Sequence, residues 1–137
     1  MNSITRIFIL MFSLVAAGMN SSCEKNEDQN IYSFVTLKGV LPDGRQIVRM
    51  EANYDLASTF MRNLNNRLEY QLPIFTNNEA SMVVQKGVYL VSFDATATFP
   101  DGSSARVRSA EHVAPKNALF LMNDKDTVTL NLKYLNY

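Results

Sequence analysis

The sequence predicts an all-β protein, a single antiparallel two-layer β-sandwich of about seven to eight strands, with at most one short helix near residues 56–66. Three observations predict it. Short runs rich in β-branched and aromatic residues recur along the chain, bounded by Pro, Gly, Asn and Asp. The tripeptide Pro-Asp-Gly occurs twice, as Pro42-Asp43-Gly44 and Pro100-Asp101-Gly102, each time after a strand-like run. There is one cysteine, so no disulfide framework is available, and stability falls to apolar burial among residues that include eight Phe, six Tyr and no Trp.

Residues 1–22 precede the fold and read as a secretory leader. Arg6 is followed by the apolar run Ile7 to Ala17, and Gly18-Met19-Asn20-Ser21-Ser22 leads into Cys23. A cation, a short apolar stretch and small residues before a cleavage point are the parts of a signal peptide. The run is too short for a membrane-spanning helix, which needs about 20 apolar residues. One reading is a conventional cut, after Ala17 or Ser21. The other is a lipoprotein signal, cleaved before Cys23, whose thiol then carries acyl chains and tethers the protein to a membrane. Acylation would account for a lone thiol in an exported chain. Each buried methylene contributes about 0.8 kcal/mol, so several acyl chains hold a small protein almost permanently. Residues 23–30 continue as Cys-Glu-Lys-Asn-Glu-Asp-Gln-Asn, a polar linker without apolar residues to bury.

Residues 31–137 form the expected β-sandwich domain. Ile31 to Leu41 reads as a strand; Pro42-Asp43-Gly44 turns the chain and Arg45 to Tyr54 returns as a hairpin partner. Proline presets the first turn position, aspartate suits the second, and glycine takes the left-handed conformation that closes the turn. The faces of this hairpin do not sort cleanly. Val40, Phe34, Val48, Met50 and Ala52 share one face with Lys38 and Thr36, so either both sides are covered or the register is shifted by one.

Leu56, Phe60, Leu64 and Leu68 recur every fourth residue, which suits a short helix over 56–66 or a structured loop. Arg67 to Phe75 alternates like a strand, with Pro73 placing it at an edge. Asn77-Asn78 turns the chain into a strand over Ala80 to Gln85. Val88 to Phe99, Pro100-Asp101-Gly102 and Ser103 to Ala110 form the second hairpin. Its expected register sets Phe93 opposite Ser109, Ala95 opposite Val107 and Ala97 opposite Ala105 on an apolar face. Asp94 opposite Arg108 and Thr96 opposite Arg106 lie on a polar, solvated face. Ala118 to Met122, an Asn123-Asp124-Lys125-Asp126 turn and a last strand over Thr127 to Asn136 complete the domain.

Composition excludes more than it identifies. Thirteen basic and thirteen acidic residues balance, and cleavage before Cys23 leaves 115 residues with 12 basic and 13 acidic. Nucleic-acid binders need clustered positive charge, so none is expected as a partner. His112 is the only histidine. On a strand it projects away from Ser109 and Glu111, so no Ser/His/acid arrangement is expected and no residue is assigned as catalytic. No cofactor is implied. A zinc site lacks ligands, and Asn123, Asp124 and Asp126 lack the spacing of a calcium loop. A paired-carboxylate site would require the fold to bring two of Glu51, Asp55, Glu69 and Glu79 together. Tyr32, Tyr54, Tyr70, Tyr134 and Tyr137 could stack a sugar, and Arg45, Arg49, Arg106 and Arg108 could meet an acidic partner. Each set also fits an ordinary solvated surface.

The leader, Cys23 and the following Lys25 with its acidic neighbours resemble the small lipoproteins of Bacteroidetes-type Gram-negative bacteria. The resemblance implies a protein on the outer membrane, exposed at the cell surface, with a periplasm-facing protein as the alternative. Over residues 84–136, the Gly-Val-Tyr-Leu-Val-Ser-Phe strand, the Pro-Asp-Gly hairpin and the closing alternating strand resemble immunoglobulin-like, transthyretin-like or fimbrillin-like domains. The expectation is a non-enzymatic, lipid-anchored envelope protein serving adhesion, surface assembly or partner binding. An accessory glycan-binding lipoprotein is the alternative, with a small hydrolase behind it. The partners expected are the membrane, through lipid on Cys23, and a protein or glycan.

Overall fold

A computed structural model describes residues 30–136. From Ile31 onward they form one compact unit. The leader, Cys23 and most of the linker lie outside the described residues. Eleven strands follow in chain order: β1 Tyr32–Val40, β2 Arg49–Ala52, β3 Phe60–Asn63, β4 Glu69–Tyr70, β5 Phe75–Thr76, β6 Glu79–Gln85, β7 Gly87–Thr98, β8 Ser104–His112, β9 Leu119–Leu121, β10 Lys125–Asn131 and β11 Lys133–Tyr134. A single 3₁₀ turn, Pro115–Asn117, is the helical element among them. The protein is all-β and sandwich-like, as the sequence predicts. The larger strand number comes from two-residue pieces such as β4, β5 and β11.

β7 is the centre of the fold. Its first half pairs β3 on one edge and β9 on the other, and its second half pairs β2 and β8. From β2 the sheet continues through β5 and β6 to β1 and then β10. One mixed sheet thus folds back on itself, with β10, β1 and β6 opposite β2, β7 and β8. The enclosed core takes Val35 and Leu37 from β1, Val84 from β6, Val128 and Leu130 from β10, and Phe93, Ala95 and Ala97 from β7. Phe75 and Phe93 meet there with ring centroids 6.0 Å apart. Burying each of these side chains contributes about 1.5–3 kcal/mol for the larger ones.

The last strand closes the circuit. β10 runs parallel to β1, Leu132 donates its N–H to the Val40 carbonyl at 2.8 Å, and β11 then pairs β8. Hydrogen bonds therefore run unbroken round β10, β1, β6, β5, β2, β7, β8 and β11. The parallel pair departs from the purely antiparallel sheet expected.

The second hairpin has the predicted register: Phe93 faces Ser109, Ala95 faces Val107, Ala97 faces Ala105, Thr96 faces Arg106 and Asp94 faces Arg108. One feature of it differs. Asp94 is buried, because the loop after β2 lies over it: Asn53 donates to the Asp94 carbonyl and the Thr59 hydroxyl accepts from the Asp94 N–H.

The first hairpin does not form. Both edges of β1 are taken, by β6 and β10, and β2 pairs β5 and β7 instead. Pro42-Asp43-Gly44 is a corner that carries the chain from one layer to the other. Val35 and Leu37 point into the core, whereas Phe34 and Val40 are exposed, so the face that Phe34 and Val40 share with Lys38 is the outer one. No helix covers 56–66. A turn at residues 54–58 leads into β3, whose Met61 and Asn63 are buried in strand alternation. Asn63 then ends the strand by accepting from the N–H groups of Asn65 and Asn66 at 2.8 and 3.2 Å, an Asx turn that outcompetes a helical turn. Residues 67–75 contribute β4 and the start of β5, with irregular backbone between them.

Candidate functional site

The two Pro-Asp-Gly turns lie side by side at one end of the sandwich. Gly44 and Gly102 each close a turn, donating to the Leu41 and Phe99 carbonyls at 2.9 Å with φ of 71° and 84°. Asp43 accepts from the Arg45 N–H at 3.2 Å, and Asp101 accepts from the Ser103 N–H at 3.0 Å. Arg45 fastens one turn to the other. Its guanidinium donates to Asp101 and to the Ser103 hydroxyl, both at 3.0 Å, and sits 3.7 Å over the Phe99 ring. Tyr134 donates its hydroxyl to the Asp43 carboxylate at 2.9 Å. The backbone N–H of Arg45 and the Tyr134 hydroxyl hold the Asp43 carboxyl below its usual range. The Ser103 hydroxyl and N–H do the same for Asp101. These hydrogen bonds hold the two turns to each other, so the cluster works as a fastener for the fold.

The other candidate groups do not converge on chemistry. His112 Nδ1 lies 2.8 Å from the Asn117 carbonyl. Ser109 is fully buried and its hydroxyl has no partner, while Glu111 accepts from Asn131 at 3.2 Å. Asn123 donates from its N–H and its amide to the Asp126 carboxylate, which also accepts from Ser33 at 2.7 Å, and Asp124 pairs with Lys86 at 2.6 Å. That turn is a capped start to β10. Among the described residues no group of three or more His, Cys, Asp and Glu is arranged to hold a metal ion. Arg45, Arg49 and Arg108 pair with Asp101, Glu51 and Asp94.

The flank carrying Tyr54 has recessed polar surface. Tyr54 lies between two shallow recesses of about 410 and 420 Å³. Glu51, Asn53, Asp55 and Thr96 line the first; Thr59, Phe60, Glu69, Tyr70 and Gln71 line the second. The Tyr54 hydroxyl donates to the Leu72 carbonyl at 3.1 Å and accepts from the Leu72 N–H, which fixes the ring while leaving it 41% exposed. Burial at this position pushes the phenol pKa up. Tyr70 packs against Tyr89 with centroids 6.0 Å apart, and Glu69 is held by Arg62 at 2.7 Å. Of the four carboxylates considered for a catalytic pair, Glu51 and Asp55 share one recess, Glu69 lies in the next, and Glu79 pairs with Lys38 elsewhere. The tyrosines were legible in the sequence, but the loop that sets Tyr54 between two hollows was masked by the helical spacing of Leu56 and Phe60.

The chain matches no protein-family model, no curated protein and no solved structure.

Proposed function

We propose that this is a lipid-anchored cell-envelope protein of non-enzymatic type, whose sandwich serves partner binding, adhesion or assembly at the outer membrane. The observation that carries this reading is the apolar leader ending at the lone Cys23, with the folded unit starting at Ile31. A thiol that close to a compact domain suits a tether. Lys25 and the acidic residues beside it favour the cell-surface side. The engagement of His112 and the turn carboxylates in structural contacts, and the full burial of Ser109, favour binding over catalysis. Replacing Cys23 by Ser tests the anchor: the protein should leave the membrane fraction, and the native protein's intact mass should carry acyl chains. Membrane fractionation unchanged by Cys23→Ser refutes it. Protease shaving of intact cells then distinguishes surface exposure from a periplasm-facing protein.

The fixed ring of Tyr54 between two polar recesses favours a second reading, glycan binding on that flank. An exposed aromatic face with amide, hydroxyl and carboxylate groups around it is the chemistry that stacks and hydrogen-bonds a sugar. On a glycan array Tyr54→Ala should abolish binding. Equal binding by wild type and Tyr54→Ala removes this reading.

A further inference from the structure

Strand directions give the domain two chemically different ends. β1 begins at one end; Gln85, where β6 stops, lies opposite Tyr32, and Lys125, where β10 starts, lies beside Phe34. Lys86 donates to the Ile31 carbonyl at 2.7 Å, and Gly87 pairs with Leu121 at the close of β9. Residues 31–34, 83–88 and 120–125 therefore meet at this end. Exposed apolar side chains gather there. Phe120 is 69% exposed, Ile31 56% and Met122 55%, with Tyr32, Phe34 and Val83 close to half. At the far end lie the fastened turns of Asp43, Arg45 and Asp101, where Phe99 is buried beneath Arg45. Among the described residues, Val40 and Val48 are the large apolar side chains exposed near that end. Exposed aromatic and aliphatic groups gathered at one end of a small domain mark an interaction site.

The linker decides what covers this end. The eight residue steps from Cys23 to Ile31 reach at most about 29 Å at full extension. Ile31 is itself part of the apolar end, so an acylated Cys23 keeps that end within the linker's reach of the bilayer. We propose that Ile31, Tyr32, Phe34, Phe120 and Met122 form an interfacial contact that rests on the lipid surface, turning the Asp43–Arg45–Asp101 end away from it. This inference rests on the lipid-anchor reading. The tether supplies a high local concentration of lipid, so a contact too weak to recruit a free protein suffices to orient a bound one. A tyrosine ring with its hydroxyl at the headgroups and phenylalanine in the acyl boundary suit such a surface. Because the contact is apolar, it should persist at high salt.

The absence of Trp makes the test clean. The lipidated protein, purified and reconstituted into phosphatidylethanolamine–phosphatidylglycerol vesicles, is compared as Phe120→Trp and Gln46→Trp variants, the latter at the far end. Both positions are exposed, so neither change disturbs the core. In Phe120→Trp the indole emission should shift to the blue and lose intensity when the vesicle acyl chains are brominated, at low and high salt. In Gln46→Trp neither should occur. If Phe120→Trp is not quenched in protein whose intact mass carries acyl chains, the lipid contact is refuted and the anchor stands. Protein lacking acyl chains refutes the anchor, and the inference with it. A blue shift without bromine quenching, together with cross-linking between copies, assigns the patch to a second copy and overturns the lipid contact.

Discussion

Replacing Arg108 by Met should leave a carboxylate stranded inside the protein. Asp94 is 3% exposed, and both its oxygens are held by Arg108, Nε at 2.6 Å and Nη2 at 2.9 Å. Removing one member of a buried pair costs about 3–5 kcal/mol, and because the Arg108 side chain is itself 43% exposed, about 2–3 kcal/mol is expected here. For a domain of this size that corresponds to a loss of about 10 °C or more in Tm.

The pH dependence should also change sign. In the native protein the Arg108 hydrogen bonds outweigh burial and hold the Asp94 pKa down, with Arg106 adding a smaller through-space attraction. The pair's stability is then present above the unfolded carboxylate pKa, about 3.9, and is lost as pH falls through the lower folded value. In Arg108→Met burial dominates and the folded pKa rises above the unfolded one. The variant's deficit should therefore shrink as pH is lowered from 8 toward 4. Urea denaturation of the purified protein, followed by far-UV circular dichroism across that range, measures it. Adding Asp94→Leu should recover much of the loss, since an apolar pair leaves no uncompensated charge. A deficit equal at pH 4 and pH 8, or an unmoved urea midpoint, would refute the reasoning.

Three further outcomes are expected. Gly102→Val should cost at least about 1 kcal/mol in urea denaturation, because φ is 84° and a Cβ there meets nothing within 4 Å, so the penalty is purely conformational. Gly87→Ala should cost about 1–3 kcal/mol, since its Cβ would stand 2.7 Å from Asn63 Nδ2, and that amide is buried and tied to Asn65 and Asn66. Asn78 accepts from the Ile47 N–H at 2.9 Å and donates to the Gly39 carbonyl at 3.0 Å, with φ at 69°. Asn78→Ala should therefore lose about 2 kcal/mol, and Asn78→Gly about 1 kcal/mol less because it tolerates that φ; equal thermal midpoints for the two would show that backbone strain plays no part.

The two Pro-Asp-Gly turns show what was legible in the chain and what was not. Flanked by matched alternation, the second reads out its register residue for residue, from Phe93 opposite Ser109 to Thr98 opposite Ser104. The first closes a local turn of the same kind, yet its flanking strands lie in different layers. A turn specifies a local reversal; which edge the next strand joins is decided by distant partners, here β6 and β10, on which the tripeptide has no bearing. Lys38 and Thr36 amid apolar neighbours were the visible signal, since a face that fails to sort marks a wrong partner. In the same way Leu56, Phe60, Leu64 and Leu68 have helical spacing, but three asparagines near the end of β3 offer the backbone better local partners. Of the candidate site, the tyrosines were readable as residues. The groove around Tyr54 was not, because it exists only where a loop crosses β7. Asp94 was paired correctly and its burial missed for the same reason.

The parallel partnership of β1 with β10 sets the order in which the molecule can mature. A nascent chain delivers Tyr32–Val40 first and Lys125–Asn131 almost a hundred residues later, so one edge of the opening strand waits, unsealed, until that segment has been made. Such long-range closure is slow. Until Lys125–Asn131 is in place that edge has no partner, so the parallel pairing is the step that locks the fold.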